Sequence, residues 1–160
     1  MMEPAVEIRQ ATVADLDRLV PLFDAYRQFY RHPSDLARAR RFLLDRFEHN
    51  QSIIFLAWDR AAAVGFTQLY PSFSSGAMAR IFVLNDLFVT PGARRRGTAS
   101  ALLQAAARYG QRFGAVRLVL STEVTNTKAQ ALYESLGWKR DTAFYVYELP
   151  LTPPPNAAIV

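Results

Sequence analysis

The stretch that most restricts the fold of this 160-residue chain runs from residue 80 to about residue 113. "RIFVLNDLFV" (80–89) is apolar and β-branched enough to be a strand, and "TPGARRRG" (90–97) is a turn. The following segment places Leu102, Leu103, Ala106 and Tyr109 at helical spacing on one face. A strand that turns directly into an amphipathic helix must lay that helix back on its own sheet. A second apolar run, "VRLVLST" (116–122), comes next, so the unit is a strand–helix–strand crossover with parallel, right-handed pairing.

The remaining segments extend that sheet. "VEIRQ" (6–10) alternates like a short strand, and Thr12 caps the next helix with Asp15 in a capping-box position. Leu16, Leu19, Val20, Phe23 and Tyr30 form its apolar stripe, and Pro21 is expected to kink or split it near Asp17. Ser34 reads as the cap of a second helix with Leu36, Leu43 and Phe47 inward. "SIIFLAW" (52–58) and "AAVGFTQLY" (62–70) read as strands joined at Asp59 and Arg60, and "PSFSSG" as a loop. "NTKAQALYESLGW" (126–138) is a helix stopped by Gly137, and residues 138–148 read as a closing hairpin. The result is a mixed α/β (α+β) sheet with helices on its faces. One domain is expected over residues 1–149, with "LTPPPNAAIV" closing a disordered proline-rich tail, 150–160.

Composition limits the chemistry. With no cysteine, disulfides, thiolate nucleophiles and sulfur-ligated metals are excluded, and His32 and His49, in polar arginine-rich surroundings, give no zinc site or Ser-His-Asp set. No metal is expected. No apolar run reaches the roughly 18 residues of a membrane span, so the expectation is a cytoplasmic protein that does not contact membrane. The formal charge is +5, and without Arg94, Arg95 and Arg96 it would be +2. The excess is thus concentrated in one turn rather than spread over a face large enough for nucleic acid, and no nucleic-acid partner is expected.

That turn has two readings. "RRR" can be a solvated charge run. Alternatively, a turn rich in unhindered N–H groups at a helix start forms an anion site, with the helix dipole and the arginines adding positive charge. Gly97, Thr98 and Ala99 are small enough to let an oxygen approach. Neither a Walker loop nor a dinucleotide fingerprint is present, and a pyrophosphate is the natural guest.

"RRRGTA" (94–99), preceded by "NDLFVTP" and followed by "SALL", resembles the Q/R-x-x-G-x-G/A acetyl-CoA motif of the Gcn5-related N-acetyltransferase (GNAT) superfamily. Residues 126–138 are similar to its second motif, N-x-x-A-x-x-L-Y-x-x-x-G-(F/W). A narrower likeness, carried by "DAYRQFYR", is to the yeast-type histone and polyamine acetyltransferases. The superfamily resemblance implies a single-domain, mostly antiparallel twisted sheet of six to seven strands with about four helices. It implies acetyl-CoA as cofactor, with the backbone of Leu87, Phe88 and Val89 pairing with the pantetheine arm and the amides of Arg94, Arg95, Arg96, Gly97, Thr98 and Ala99 holding the pyrophosphate. Asn126 and Ala129 would line the far side of the arm, and Tyr133 would lie near the sulfur.

Acetyl transfer needs a deprotonated amine and a proton for the departing thiolate. A phenol of pKa about 10 can protonate a thiolate whose acid has a pKa of about 8.5, which makes Tyr133 the candidate acid. For the base, Asp86 and Glu123 are carboxylates in reach of the strand ends, and Asn85 could orient the amine or a water but not accept a proton. The alternatives are hydrogen bonding at a strand irregularity for Asp86 and a solvent-facing strand end for Glu123. The resemblance places Tyr26, Tyr30, Arg31 and Asp35 at an acceptor wall, although Tyr26 and Tyr30, four apart, also fit ordinary helix packing. The expectation is direct attack by a small-molecule, polyamine or peptide amine in a homodimeric enzyme, the alternative being a non-catalytic acyl-CoA sensor.

Overall fold

The computed structural model describes residues 6–155, and the final five residues of the expected tail lie outside them. The chain forms two units, divided between Ser121 and Thr122.

The first unit contains β1 (Glu7–Gln10), a 3-10 turn (Val13–Asp15), α1 (Leu16–Phe29), α2 (Leu36–Glu48), β2 (Ile53–Asp59), β3 (Ala62–Ser74), β4 (Ala79–Val89), a 3-10 turn (Pro91–Ala93), α3 (Thr98–Arg112) and β5 (Leu118–Val119). Its sheet has the order β1-β2-β3-β4-β5, antiparallel up to β4, with β5 parallel to β4. The mixed, mostly antiparallel sheet and the parallel crossover are as the sequence implies.

Local chemistry explains most of the boundaries. Thr12 and Asp15 form the expected reciprocal cap, but on the 3-10 turn, and α1 then runs unbroken through Pro21. The change of helix type comes at Asp15, ahead of the break expected near Asp17. α2 is capped not by Ser34 but by Asp35, whose carboxylate accepts from the Arg38 N–H at 3.0 Å. Leu36, expected inward, is exposed, while Leu43 is fully buried. β3 continues past the expected loop through Pro71 to Ser74, paired with β4 down to Ala79.

The core between the helices α1 and α2 and the sheet comprises Leu19, Val20, Phe23, Ala39, Leu43, Ile54, Leu56, Phe66 and Phe88. α3 lies on the opposite face, where Tyr109 meets Phe55 and Phe82 at 5.8 and 5.6 Å between ring centres. Gly65 keeps β3 close to β4, since a Cβ there would lie 2.9 Å from the Phe88 carbonyl oxygen.

The second unit holds α4 (Thr127–Ser135), capped by Asn126, whose side chain accepts from the Ala129 N–H at 3.2 Å. Gly137, at φ +89°, ends it as expected: the Trp138 N–H reaches back to the Tyr133 carbonyl at 3.0 Å. Residues 138–148 are not a hairpin. Asp141 accepts from the N–H groups of Ala143 and Phe144, an Asx-type turn that takes the donors with which a strand would begin. Among the described residues the sheet therefore has five strands, not six to seven, beside four α-helices. No described helix is long and apolar enough to cross a membrane, and no described cluster of three or more His, Cys, Asp or Glu could hold a metal.

Candidate active site

β4 carries the irregularity on which the site depends. Leu84 pairs with Leu69 and Asp86 pairs with Gln68, leaving Asn85 as an extra residue without a partner of its own. One inserted residue in a strand reverses the faces of everything beyond it. Phe82, before the bulge, points to Tyr109 of α3, whereas Phe88, after it, points to Tyr26 of α1 at 6.4 Å. Without the bulge, strict alternation would put Asp86 on the α3 face with Phe82. With it, the Asp86 carboxylate is turned toward α1.

Asp86 is 3% exposed. One carboxylate oxygen accepts from Gln68 Nε2 and the other from Asn85 Nδ2 at 3.1 Å. The Tyr26 hydroxyl lies against it and donates to the Asn85 carbonyl at 3.3 Å. Burial raises the Asp86 pKa above the usual carboxylate range; the hydrogen bonds from Gln68, Tyr26 and Asn85 oppose that rise without cancelling it. The phenols nearby are held neutral: burial and the Asp86 charge raise Tyr26, and they raise Tyr70 against an opposing pull from Arg46.

Tyr26 and Tyr30 touch edge to face at 5.1 Å between centres, so the two expected wall residues do meet. Asp35 is committed elsewhere, capping α2 and donating its N–H to Asp24 at 2.8 Å. Asp24, which the sequence reading did not single out, also accepts from Gln28 and Ser34 at 2.9 and 2.7 Å. Desolvation raises its pKa, but the hydrogen bonds from Ser34, the Asp35 N–H and Gln28 outweigh it, leaving Asp24 below its ordinary value. This carboxylate fixes the α1–α2 connection and, through it, Tyr26 and Tyr30.

Beside Asp86 the sheet opens. β5 pairs with β4 only at Phe82 and Val83. The Thr90 N–H bonds back to Val64 in β3, so by alternation the polar groups of Leu87 and Val89 face the uncovered edge while those of Phe88 face β3. An extended amide-bearing chain can add there as a strand. Of the three residues expected to pair with pantetheine, Leu87 and Val89 are turned toward that edge, although the Val89 carbonyl is held by Arg94 Nε at 2.9 Å, and Phe88 is turned toward β3.

Past Val89 the turn resolves the three arginines. Arg94 donates from Nε to the Val89 carbonyl at 2.9 Å, with its guanidinium near the rings of Phe29 and Phe88. Arg96 pairs with Asp59 at 3.1 Å, and Arg95 is exposed at φ +62°. The backbone makes the better anion cradle. Gly97 takes φ +76° at the start of α3, with no atom within 4 Å of where a Cβ would be, and no side chain caps the helix. The Thr98 hydroxyl turns away to the Ala93 carbonyl at 3.2 Å. The first N–H groups of a fifteen-residue helix are thus left for a ligand, which fits a pyrophosphate.

In the second unit Tyr133 is half-buried with its ring 6.0 Å from Trp138, and Asn126 and Ala129 are joined by the cap of α4. Glu123 is exposed, and its carbonyl accepts from Gln130 Nε2 at 3.1 Å and from the Asn126 N–H at 3.0 Å. Sequence reasoning missed Gln68, which bonds Asp86; Tyr70, which feels the Asp86 charge; and Arg46, which acts on Tyr70. Gln68, a polar residue within an apolar strand, was the one legible signal.

Known proteins agree with this architecture. The family model for the Acetyltransferase (GNAT) family matches residues 19–138. An uncharacterised N-acetyltransferase, YhfO, of Bacillus subtilis is 49% identical over 142 residues, 89% of this chain and 95% of its own. A probable acetyltransferase of Haemophilus influenzae is 33% identical over 86% of this chain and 93% of its own. A crystal structure of a probable acetyltransferase superposes with a TM-score of 0.87 at 43% identity, covering 92% of this chain and 99% of that one. The narrower likeness to yeast histone and polyamine acetyltransferases finds no support in these matches. With its split sheet edge, uncapped α3 and matching relatives, the chain belongs to the acetyltransferase (GNAT) family, and it is an N-acetyltransferase that uses acetyl-CoA.

Proposed function

We propose that the protein acetylates a primary amine by direct attack within a ternary complex, with Asp86 as the base and Tyr133 as the acid. The observation that carries this reading is the bulge at Asn85, which turns a buried carboxylate of raised pKa toward α1 beside the open edge of β4. Leu87 and Val89 would hold the pantetheine arm, and the amides from Arg94 to Ala99 the pyrophosphate. Asn126 and Ala129 take their family roles.

Bound acetyl-CoA supplies an activated thioester, whose C–S bond breaks as the new N–C bond forms. Asp86 takes the proton from the amine nitrogen, a task for which its raised pKa suits it better than an ordinary carboxylate. Asn85 holds the Asp86 oxygen in place through Nδ2, and Tyr26 closes the α1 side. The Tyr133 hydroxyl delivers a proton to the leaving sulfur, an assignment resting on its motif. Glu123, exposed and at the start of the second unit, is the weaker base. No cysteine is present to carry a covalent acetyl group, which favours direct attack.

Thiol release from acetyl-CoA across amino acids, polyamines, aminoglycosides and lysine peptides tests the reaction. Tyr133→Phe should lower turnover by roughly 10²–10⁴; a drop of less than about threefold removes Tyr133 from the role. Coenzyme A binding without thiol release for any amine would instead make the chain an acyl-CoA-binding module. We further propose a homodimer formed through residues 143–149, where Phe144, Tyr145, Val146 and Tyr147 are 81–91% exposed. Light scattering on a sizing column checks it, and Tyr145→Asp with Tyr147→Asp should yield monomer.

A further inference from the structure

Arg46, on α2, is a cation for which the reaction above has no use. Its Nε and Nη2 are shut off from solvent and meet no hydrogen-bond acceptor among the described residues. The guanidinium lies 4.5 Å from the centre of the Phe42 ring, and Phe42 stacks on Phe23 in the core that covers the Asp86 face of the sheet. A buried guanidinium without an acceptor loses its hydration and gains little in return. Two further groups, on β3, share the sheet face that carries Asp86. Gln68 donates to Asp86 through Nε2, while its Oε1 is buried and unpartnered. Tyr70, two residues along β3 from Gln68 and therefore on the same face, lies within the electrostatic reach of both Asp86 and Arg46. Tyr70 thus feels both the negative charge of Asp86 and the positive charge of Arg46.

We propose that the acceptor is an amine that also carries a carboxylate, an amino-acid-like molecule, and that Arg46 holds this carboxylate while Asp86 faces the amine. The proposal rests on the acetyl-transfer reading and narrows its substrate class. Two unpartnered N–H groups of a guanidinium match the two oxygens of a carboxylate, and Gln68 Oε1 is available to an ammonium or amide N–H of the same molecule. A polyamine fits poorly, because a second ammonium would meet Arg46 where it needs an anion.

The test compares free amino acids with their carboxamides, and both with putrescine, at saturating acetyl-CoA. The wild-type protein should prefer acids over carboxamides by at least about tenfold in kcat/KM, the range expected of a charge-assisted paired contact. Arg46→Met should abolish that preference by raising KM for acids far more than for carboxamides, and Arg46→Lys should restore part of it. Equal turnover of acid and carboxamide by the wild-type protein overturns the proposal without touching acetyl transfer, and needs no variant to fold. Equal losses on acid and carboxamide in a stably folded Arg46→Met protein overturn it too, since a merely structural arginine would behave in that way. Absence of thiol release with every amine would end both readings.

Discussion

Replacing Asp86 by Asn removes a buried charge and keeps the shape of the side chain. The folded-state pKa of Asp86 is raised, chiefly by burial. Well below the ordinary carboxylate value of about 3.9, folded and unfolded chains are both protonated at this position and the group has no linked effect. As the pH rises, the unfolded chain ionises first, so Asp86 progressively subtracts stability until the pH passes its folded value. The subtraction amounts to about 1.4 kcal/mol for every pH unit separating the two values. Asn is relieved of that burden, and its Nδ2 has an acceptor ready: turning the Gln68 amide over would bring the unpartnered Oε1 to face it. Asp86→Asn should therefore melt at the same temperature as wild type or above it at pH 7, with a gain of about 2–4 °C per kcal/mol for a chain of this size. Its turnover should nevertheless fall by roughly 10²–10⁴, the usual contribution of a positioned base. Scanning fluorimetry reads the first quantity and thiol release between pH 5 and 9 the second. The wild-type kcat/KM should have an acidic limb with its midpoint above the ordinary carboxylate value, and the variant should lack it. A variant that melts well below wild type while retaining turnover within about threefold would show that the carboxylate is a brace for the bulge and nothing more.

Gly97→Val should weaken coenzyme A binding by about tenfold or more in calorimetry, which corresponds to about 1.4 kcal/mol. The site is open around a Cβ, so the fold should survive with only the strain of a branched residue at φ +76°, about 1–2 kcal/mol. Asp24→Asn should lower stability at pH 7 by about 1–3 kcal/mol, because three donors lose a charged acceptor. The wild-type contribution is present above the unfolded carboxylate pKa and is lost as the pH falls through the depressed folded value, so acid titration of the melting temperature should be shallower in the variant.

What was legible in the sequence is what neighbouring residues decide between themselves. The Thr12–Asp15 cap, the arginine turn running into α3 and the glycine that stops α4 are each set within four or five residues, and all appear as expected. The errors begin where a side chain has two local uses. Ser34 and Asp35 can both cap a helix, and Asp24, ten residues earlier, takes the Ser34 hydroxyl and leaves the cap to Asp35. In residues 138–148 a strand-like composition suggests a hairpin, but the carboxylate of Asp141 takes the backbone donors first.

The position of Asp86 shows why the site itself resisted a reading from sequence. Along "RIFVLNDLFV" both alternating sets are apolar, so period-two counting assigns Asp86 to the set containing Phe82 and Leu84, on the α3 face. Only the pairing with β3 reveals that Asn85 is an extra residue and that the assignment reverses beyond it. The partners that then define the carboxylate lie 18 residues away in Gln68 and 59 away between Tyr26 and Asn85, beyond the reach of any local pattern. The consecutive Asn and Asp in an otherwise apolar strand were the visible trace of the bulge. Such a polar pair costs a central strand stability unless something answers it. Here the tyrosine of α1 and the glutamine of β3 answer part of the charge, and the part left over is what raises the pKa of Asp86 toward a value useful to a base.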